Sequence, residues 1–316
     1  MKDTIFSIFV IVGTVIGSGF ISGKEIVVFF SRFGNFSFPC IILAFGLFFL
    51  LFYLILTRGS KAFDKIRSSK FCQAINIFLC LIFSSAMFAG IIDLVCSNVL
   101  ICSFVIIFVI VSCYFIYKKG MKSLQKFNFV LVPAMICFFI GGLSLLVNSR
   151  FNFESCLTGE YSFLYSMLYV VLNTSNSCFL IAGLGKKLSR QQKTRVAFIS
   201  ALVLFASLFL ANLVLLQNSS AFSSDMPILS LFEGWQKTLM TIVIFIGCLT
   251  TLFSLVYTCS SSMRGLCKNE MMIFSVSVLF PFVASLIGFG YIVTYLYPLA
   301  SVMGIFLLYK LFSKSG

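Results

Sequence analysis

Residues 4–30 read Thr4-Ile-Phe-Ser-Ile-Phe-Val-Ile-Val-Gly13-Thr14-Val15-Ile16-Gly17-Ser18-Gly19-Phe20-Ile-Ser22-Gly23-Lys24-Glu25-Ile-Val-Val-Phe-Phe30. At 1.5 Å per residue a helix of this length covers about 40 Å, more than the ~30 Å hydrocarbon core of a bilayer. The ends are apolar enough to cross a membrane. The middle, with glycines at 13, 17, 19 and 23 and several hydroxyls, predicts a break in the helix. A break in a lipid-spanning segment survives only where protein or water satisfies the freed backbone groups, so it marks a candidate site. The spacings Gly13-x-x-x-Gly17 and Gly19-x-x-x-Gly23 also suit close packing of two membrane helices with no ligand involved. Lys24 and Glu25 tip the reading toward a site, because packing alone does not require charges in a span, where each costs about 2.5 to 3.5 kcal/mol near the centre.

Working outward, the composition is that of a polytopic all-α membrane protein. Apolar residues make up 60% of the 316, charged residues 10%, and there are 41 phenylalanines; the mean hydropathy is +1.10. Histidine is absent, which excludes histidine-based acid–base chemistry, Ser-His and Cys-His nucleophile pairs and histidine metal ligation. The 12 cysteines form no Cys-x-x-Cys pair. They read as small core residues, with neither a disulfide framework nor a metal site expected. Lys2 followed by an apolar run imitates a signal peptide, but no small-x-small cleavage site follows, and the segment is expected to be retained.

Ten apolar spans follow in order, at about 4–30, 37–57, 72–97, 99–117, 127–147, 161–184, 195–216, 236–260, 271–288 and 290–312. The charges test this count. With the N-terminus in the cytoplasm, basic residues fall in every alternate loop, and of the 23 only Lys24, Arg32, Arg150 and Lys237 lie elsewhere. The positive-inside rule is thereby satisfied, with both termini cytoplasmic and the chain in the cell membrane. A net charge of +14 is explained by basic loops on an anionic leaflet, without nucleic acid. The acids Glu154, Glu160, Asp225 and Glu233 fall in outer loops, and residues 217–234 suggest either a short capping lid or a plain connector.

Ten spans divide into five and five, and an odd number gives the second set the opposite polarity, the arrangement of an inverted repeat. One transmembrane domain is expected, with repeat one at about 1–150 and repeat two at about 151–316. The sixth span carries Asn173-Thr174-Ser175-Asn176-Ser177 at mid-depth, which predicts a second break matching the first. Serine and threonine there also have a simpler role, bonding back to their own helix. Paired interruptions in two halves point to a transporter binding site, where free N–H groups suit an anion and free carbonyls a cation.

The run Gly13-Thr-Val-Ile-Gly17-Ser18-Gly19-Phe20 resembles the first-helix signature of the amino acid-polyamine-organocation superfamily, whose members share the LeuT-like five-plus-five fold. Ser22-Gly23-Lys24-Glu25 resembles YkvI-type bacterial membrane proteins, a group placed among amino acid permeases. The likeness continues through Ala89-Gly90, Gly120, Asn128, Val132-Pro133, Asn173, Met226-Pro227 and Thr250-Thr251. The resemblance implies that helices 1 and 6 are broken. It assigns the substrate to Thr14, Gly17, Ser18 and Gly19 on one side and Asn173, Thr174 and Ser175 on the other. It places a sodium ion between Gly13 and Ile16 of the first helix and Gly247, Thr250 and Thr251 of the eighth; oxygen-only ligation suits a hard cation. Some proton-coupled relatives put a fifth-helix amine there instead; here the fifth span carries only Lys126, at its cytoplasmic edge, which favours sodium.

Lys24, Glu25 and Asp93 are assigned to gating or coupling. Asp93, near the outer end of the third span, either snorkels to the surface or pairs with Lys24 or a substrate ammonium. The expectation is a secondary transporter of a small amino acid or related solute, working by alternating access and coupled to sodium or protons. No P-loop of the Gly-x-x-x-x-Gly-Lys-Ser/Thr type is present, which disfavours ATP-driven transport by this chain alone. Its partners are a small solute and the lipid bilayer; no enzyme activity and no cofactor beyond the coupling ion are expected. A solute-sensing subunit of the germinant-receptor kind and a channel remain as alternatives on the same fold.

Overall fold

The computed structural model describes residues 2–95, 99–147 and 159–313. The first crossing is not one helix but three: α1 (Lys2–Val15), α2 (Ser18–Ile21) and α3 (Lys24–Phe29). Two joints separate them. Ile16 and Gly17 leave the helical path, and Gly23 takes a left-handed φ of 86°, a conformation glycine reaches without Cβ strain. The expected break of the first crossing is therefore present, and there are two of them.

The remaining crossings are longer. They are α4 (Ser37–Ser68), α5 (Lys70–Val95), α6 (Val99–Lys119), α7 (Met121–Leu146), α8 (Ser162–Gly185), α9 (Arg190–Gln217) and α10 (Gly234–Met263). The ninth consists of α11 (Glu270–Phe274), a π-helical turn at Ser275–Leu279, α12 (Phe280–Ala284) and a 3-10 turn; the tenth of α13 (Phe289–Tyr291), a π-helical turn at Ile292–Leu296 and α14 (Tyr297–Phe312). Each π turn ends just before a proline, Pro281 or Pro298. Proline has no N–H for the carbonyl four residues back, so the ladder shifts register there.

Among the described residues, nine helical stretches are long and apolar enough to cross a membrane. The first crossing is not among them because its pieces are short. The protein is a multi-pass membrane protein. α6 shows what lipid exposure does to a sequence: it is apolar all round, with Val99, Leu100 and Phe104 more than 70% exposed. α5, α8 and α10 are mostly buried and carry the interior polar residues.

Similar helix pairings recur along the chain. α5 packs against α10, its counterpart in the other half. α1 packs on α7 as α8 packs on α14, and α10 packs on α7 as α5 packs on α14. The expected boundary near 150/151, together with Arg150, Glu154 and the turn at Ser97-Asn98, lies outside the described residues.

The loops sort by charge. At one end Lys186 meets Asp64 at 3.2 Å, and Arg264 meets Glu270 at 3.3 Å while lying over the Tyr117 ring. The other end carries Lys24, Asp93 and Asp225.

Candidate functional site

The backbone at the first break needs partners, and α10 supplies one. Along α10, Thr250, Ser254 and Thr258 donate to carbonyls of their own helix, those of Gly247, Thr250 and Ser254. Thr251 does not. Its hydroxyl reaches across to the carbonyls of Gly13 at 3.0 Å and Ile16 at 3.3 Å. Three of the five residues expected at the cation position thus meet: the Gly13 carbonyl of α1, the Ile16 carbonyl at the first joint and one α10 hydroxyl. Thr250 and Gly247 are spent on each other. Gly247 serves packing, since a Cβ there would strike Ile21.

The glycines of the first crossing let neighbours close in. A Cβ on Gly13 would stand 2.5 Å from Val132 and 3.3 Å from the Asn128 amide of α7. One on Gly17 would meet Met87 and Thr251 at 3.1 Å. Thr14 bonds back to Val10 at 2.7 Å. Ser18 directs both its N–H and its hydroxyl at the Met87 sulfur, each at 3.5 Å, and sulfur is a weak acceptor. α2 is a single turn, so an anion at Gly17–Gly19 would be held by individual N–H groups rather than by a helix dipole.

The sixth crossing corrects the sequence reading. α8 runs without interruption from Ser162 to Gly185, through Asn173–Ser177. The Asn173 amide donates to Tyr169 O at 3.1 Å, Ser175 to Leu172 O at 3.0 Å and Ser177 to Asn173 O at 2.7 Å. These groups spend themselves on the helix they sit in, and no backbone group is freed. Thr174 Oγ1 and Asn176 Oδ1 remain buried without a hydrogen-bond partner. The wall opposite the first break is accordingly a set of side chains on an intact helix, not bare backbone.

Lys24 also differs from expectation. Its ammonium donates to Ser224 O at 2.9 Å and lies 3.7 Å from Asp225, so its acidic neighbour is on the loop between α9 and α10, not Asp93. Asp93 is exposed and shares with Asp225 and Lys237 the rim of a surface pocket of about 570 Å³. The same loop covers the second break: the Ile228 N–H donates to Ser22 O at 2.8 Å, and a Cβ on Gly23 would touch Ile228. Of the two readings of residues 217–234, the capping one fits this contact.

Glu25 is separated from Lys24 although adjacent in sequence. It is 2% exposed, its carboxyl fills the space where a Cβ on Gly19 would stand, and Oε2 has no hydrogen-bond partner. Two further polar groups are buried, Tyr169 of α8, packed on Phe29 and Phe30, and Tyr297 of α14, and both hydroxyls are likewise unpartnered. Tyr169, Tyr297, Asn176 and the unpartnered Asn128 are interior polar groups that sequence reading left out of the site. The tyrosines gave no signal, because an aromatic on an apolar helix reads as core.

The chain is 25% identical over 312 residues to the uncharacterized membrane protein YkvI of Bacillus subtilis, covering 92% of this chain and 90% of that protein. The chain resembles YkvI along nearly its whole length. It is also 21% identical over 322 residues to the uncharacterized protein YyaD of the same organism, covering 94% of this chain and 93% of that protein. Among solved structures, the manganese transporter of Eremococcus coleocola, in complex with an aromatic bis-isothiourea substituted compound, matches with a TM-score of 0.61 at 11% identity, over 97% of this chain and 76% of that one. A mutant of that transporter matches with the same TM-score over 96% and 77%. The chain shares its fold with that transporter. No family model matches the chain.

Proposed function

We propose that the protein is a secondary transporter of a small amino acid or related solute, working by alternating access across the cell membrane with both termini cytoplasmic. The carrying observation is the opening of the first crossing at Ile16–Gly17, closed by the Thr251 hydroxyl on the Gly13 and Ile16 carbonyls. These oxygens are the donor set a sodium ion would take over, the threonine rotating to offer its oxygen instead of its proton. Gly17, Ser18 and Gly19, with Thr14 beside them, form one wall of the solute site. Thr174 and Asn176, with Asn173 and Ser175, form the other. Lys24 acts in the outer gate through Ser224 and Asp225, and Asp93 lines the approach to it. The fold and the absence of histidine favour a non-enzyme, and sodium is preferred to protons as the coupling ion. The two halves act as repeats of one transmembrane domain that rock about the site.

Counterflow in proteoliposomes tests the reading. Preloaded amino acid should drive uptake of the labelled form, faster with sodium on the outside. Saturable binding without exchange would support a sensor, and turnover beyond the millisecond range of a conformational cycle a channel.

A further inference from the structure

Several cations at the end of the molecule that carries Lys186 are already engaged. Lys186 meets Asp64, Arg264 meets Glu270, and Arg58 donates to the Leu311 carbonyl and lies over the Phe312 ring. Arg190 and Lys193, in the first turn of α9, differ: among the described residues neither side chain meets an acid or a hydrogen-bond acceptor. With Tyr53 and Thr57 of α4 they line a surface pocket of about 420 Å³. The Thr57 hydroxyl already donates to the Tyr53 and Leu54 carbonyls, at 2.8 and 2.9 Å. The donors left to the pocket are therefore two cations and the Tyr53 phenol. The pocket lies where both helices leave their apolar spans, 31–58 and 190–217. One turn deeper the surface turns aromatic. Phe49 stacks on Tyr53 with centroids 6.3 Å apart and meets Phe198 of α9 edge-on at 5.9 Å, and Phe198 is 46% exposed, so this wall is open to lipid.

We propose that this pocket binds an anionic phospholipid, its phosphate held between Arg190 and Lys193 and an acyl chain lying along Phe49 and Phe198. Basic pockets between membrane helices suit anionic headgroups, and a guanidinium can take two phosphate oxygens at once. Tyr53 adds a neutral donor at the depth where tyrosine favours the membrane interface. Two positive side chains repel a headgroup that carries its own ammonium, so a zwitterionic lipid fits poorly. A free phosphate would satisfy the cations and leave the aromatic wall unused, which singles out a lipid as the occupant. The site shares no residue with the solute or sodium positions and does not depend on what the protein carries.

Thermal unfolding of the purified full-length protein, with lipid titrated into the detergent micelle, tests the site. Dioleoylphosphatidylglycerol should raise the midpoint, and dioleoylphosphatidylcholine, which has the same chains, should raise it much less. Equal effects of the two lipids overturn the proposal. Sodium phosphate, against sodium chloride of equal ionic strength, should not reproduce the shift; a full response to it means a bare anion site and overturns the lipid. The double variant Arg190→Gln/Lys193→Gln should need about tenfold more phosphatidylglycerol, or more still, for the same shift. The control Lys118→Gln/Lys119→Gln removes the same charge from the last turn of α6 and should respond as wild type. An unchanged response in the first pair, or equal weakening in both pairs, overturns the proposal, the latter because overall charge alone would then explain the attraction. If the first pair does not fold, Tyr53→Phe/Lys193→Gln replaces it: the response should weaken severalfold, and an unchanged one overturns the site.

Discussion

The first and sixth crossings occupy corresponding places in the two halves and both carry polar residues at mid-span, yet one is broken twice and the other runs unbroken. The difference lies in what kind of small or polar residue each uses. Glycines at 13, 17, 19 and 23 give the backbone no side chain to pack, permit the left-handed turn at Gly23, and let α5, α7 and α10 press against the bend. Asn173, Ser175 and Ser177 in α8 keep a Cβ and donate to carbonyls one turn back. A polar run in a membrane helix is therefore a poor predictor of unwinding, whereas a glycine run whose freed carbonyls find an outside donor is a better one.

Three substitutions test this contrast. The largest effect is expected for Thr251→Val, which strips the shared donor from the Gly13 and Ile16 carbonyls. It should lower unfolding stability by about 1–3 kcal/mol and abolish any sodium dependence of uptake, with Thr251→Ser largely normal. Stability equal to wild type would mean the break does not lean on α10. Gly23→Ala comes next, at about 1–2 kcal/mol from the left-handed φ alone, read from the thermal midpoint; a silent substitution would show that the second joint can form with right-handed geometry. Smallest is Ser177→Ala in α8, worth a few tenths of a kcal/mol because only a back-bond is lost. A cost rivalling that of Thr251→Val would put the α8 polar run to some use other than its own helix.

Much of the architecture was legible in the sequence. Crossing positions follow from hydropathy, and the first break follows from glycines in a span; both are local properties. Thr251 and its two carbonyl partners were reached through the family resemblance, not through spacing. What escaped was decided by three-dimensional competition. Whether Ser175 bonds its own helix or a ligand depends on which acceptor is nearest. Lys24 and Glu25 are both buried, and what separates them is their partners: the Lys24 ammonium meets Ser224 and Asp225, while Glu25 Oε2 has no hydrogen-bond partner. Pairing Lys24 with Asp93 looked natural by depth, but the α9–α10 loop brings Asp225 to the ammonium instead.

The bond from the Ile228 amide to the Ser22 carbonyl ties a strand of chain from the second half to the outermost joint of the first. No swing of α3 away from the bundle can happen while that amide proton stays protected. Its exchange with deuterated solvent therefore times the release of α3 from the α9–α10 loop.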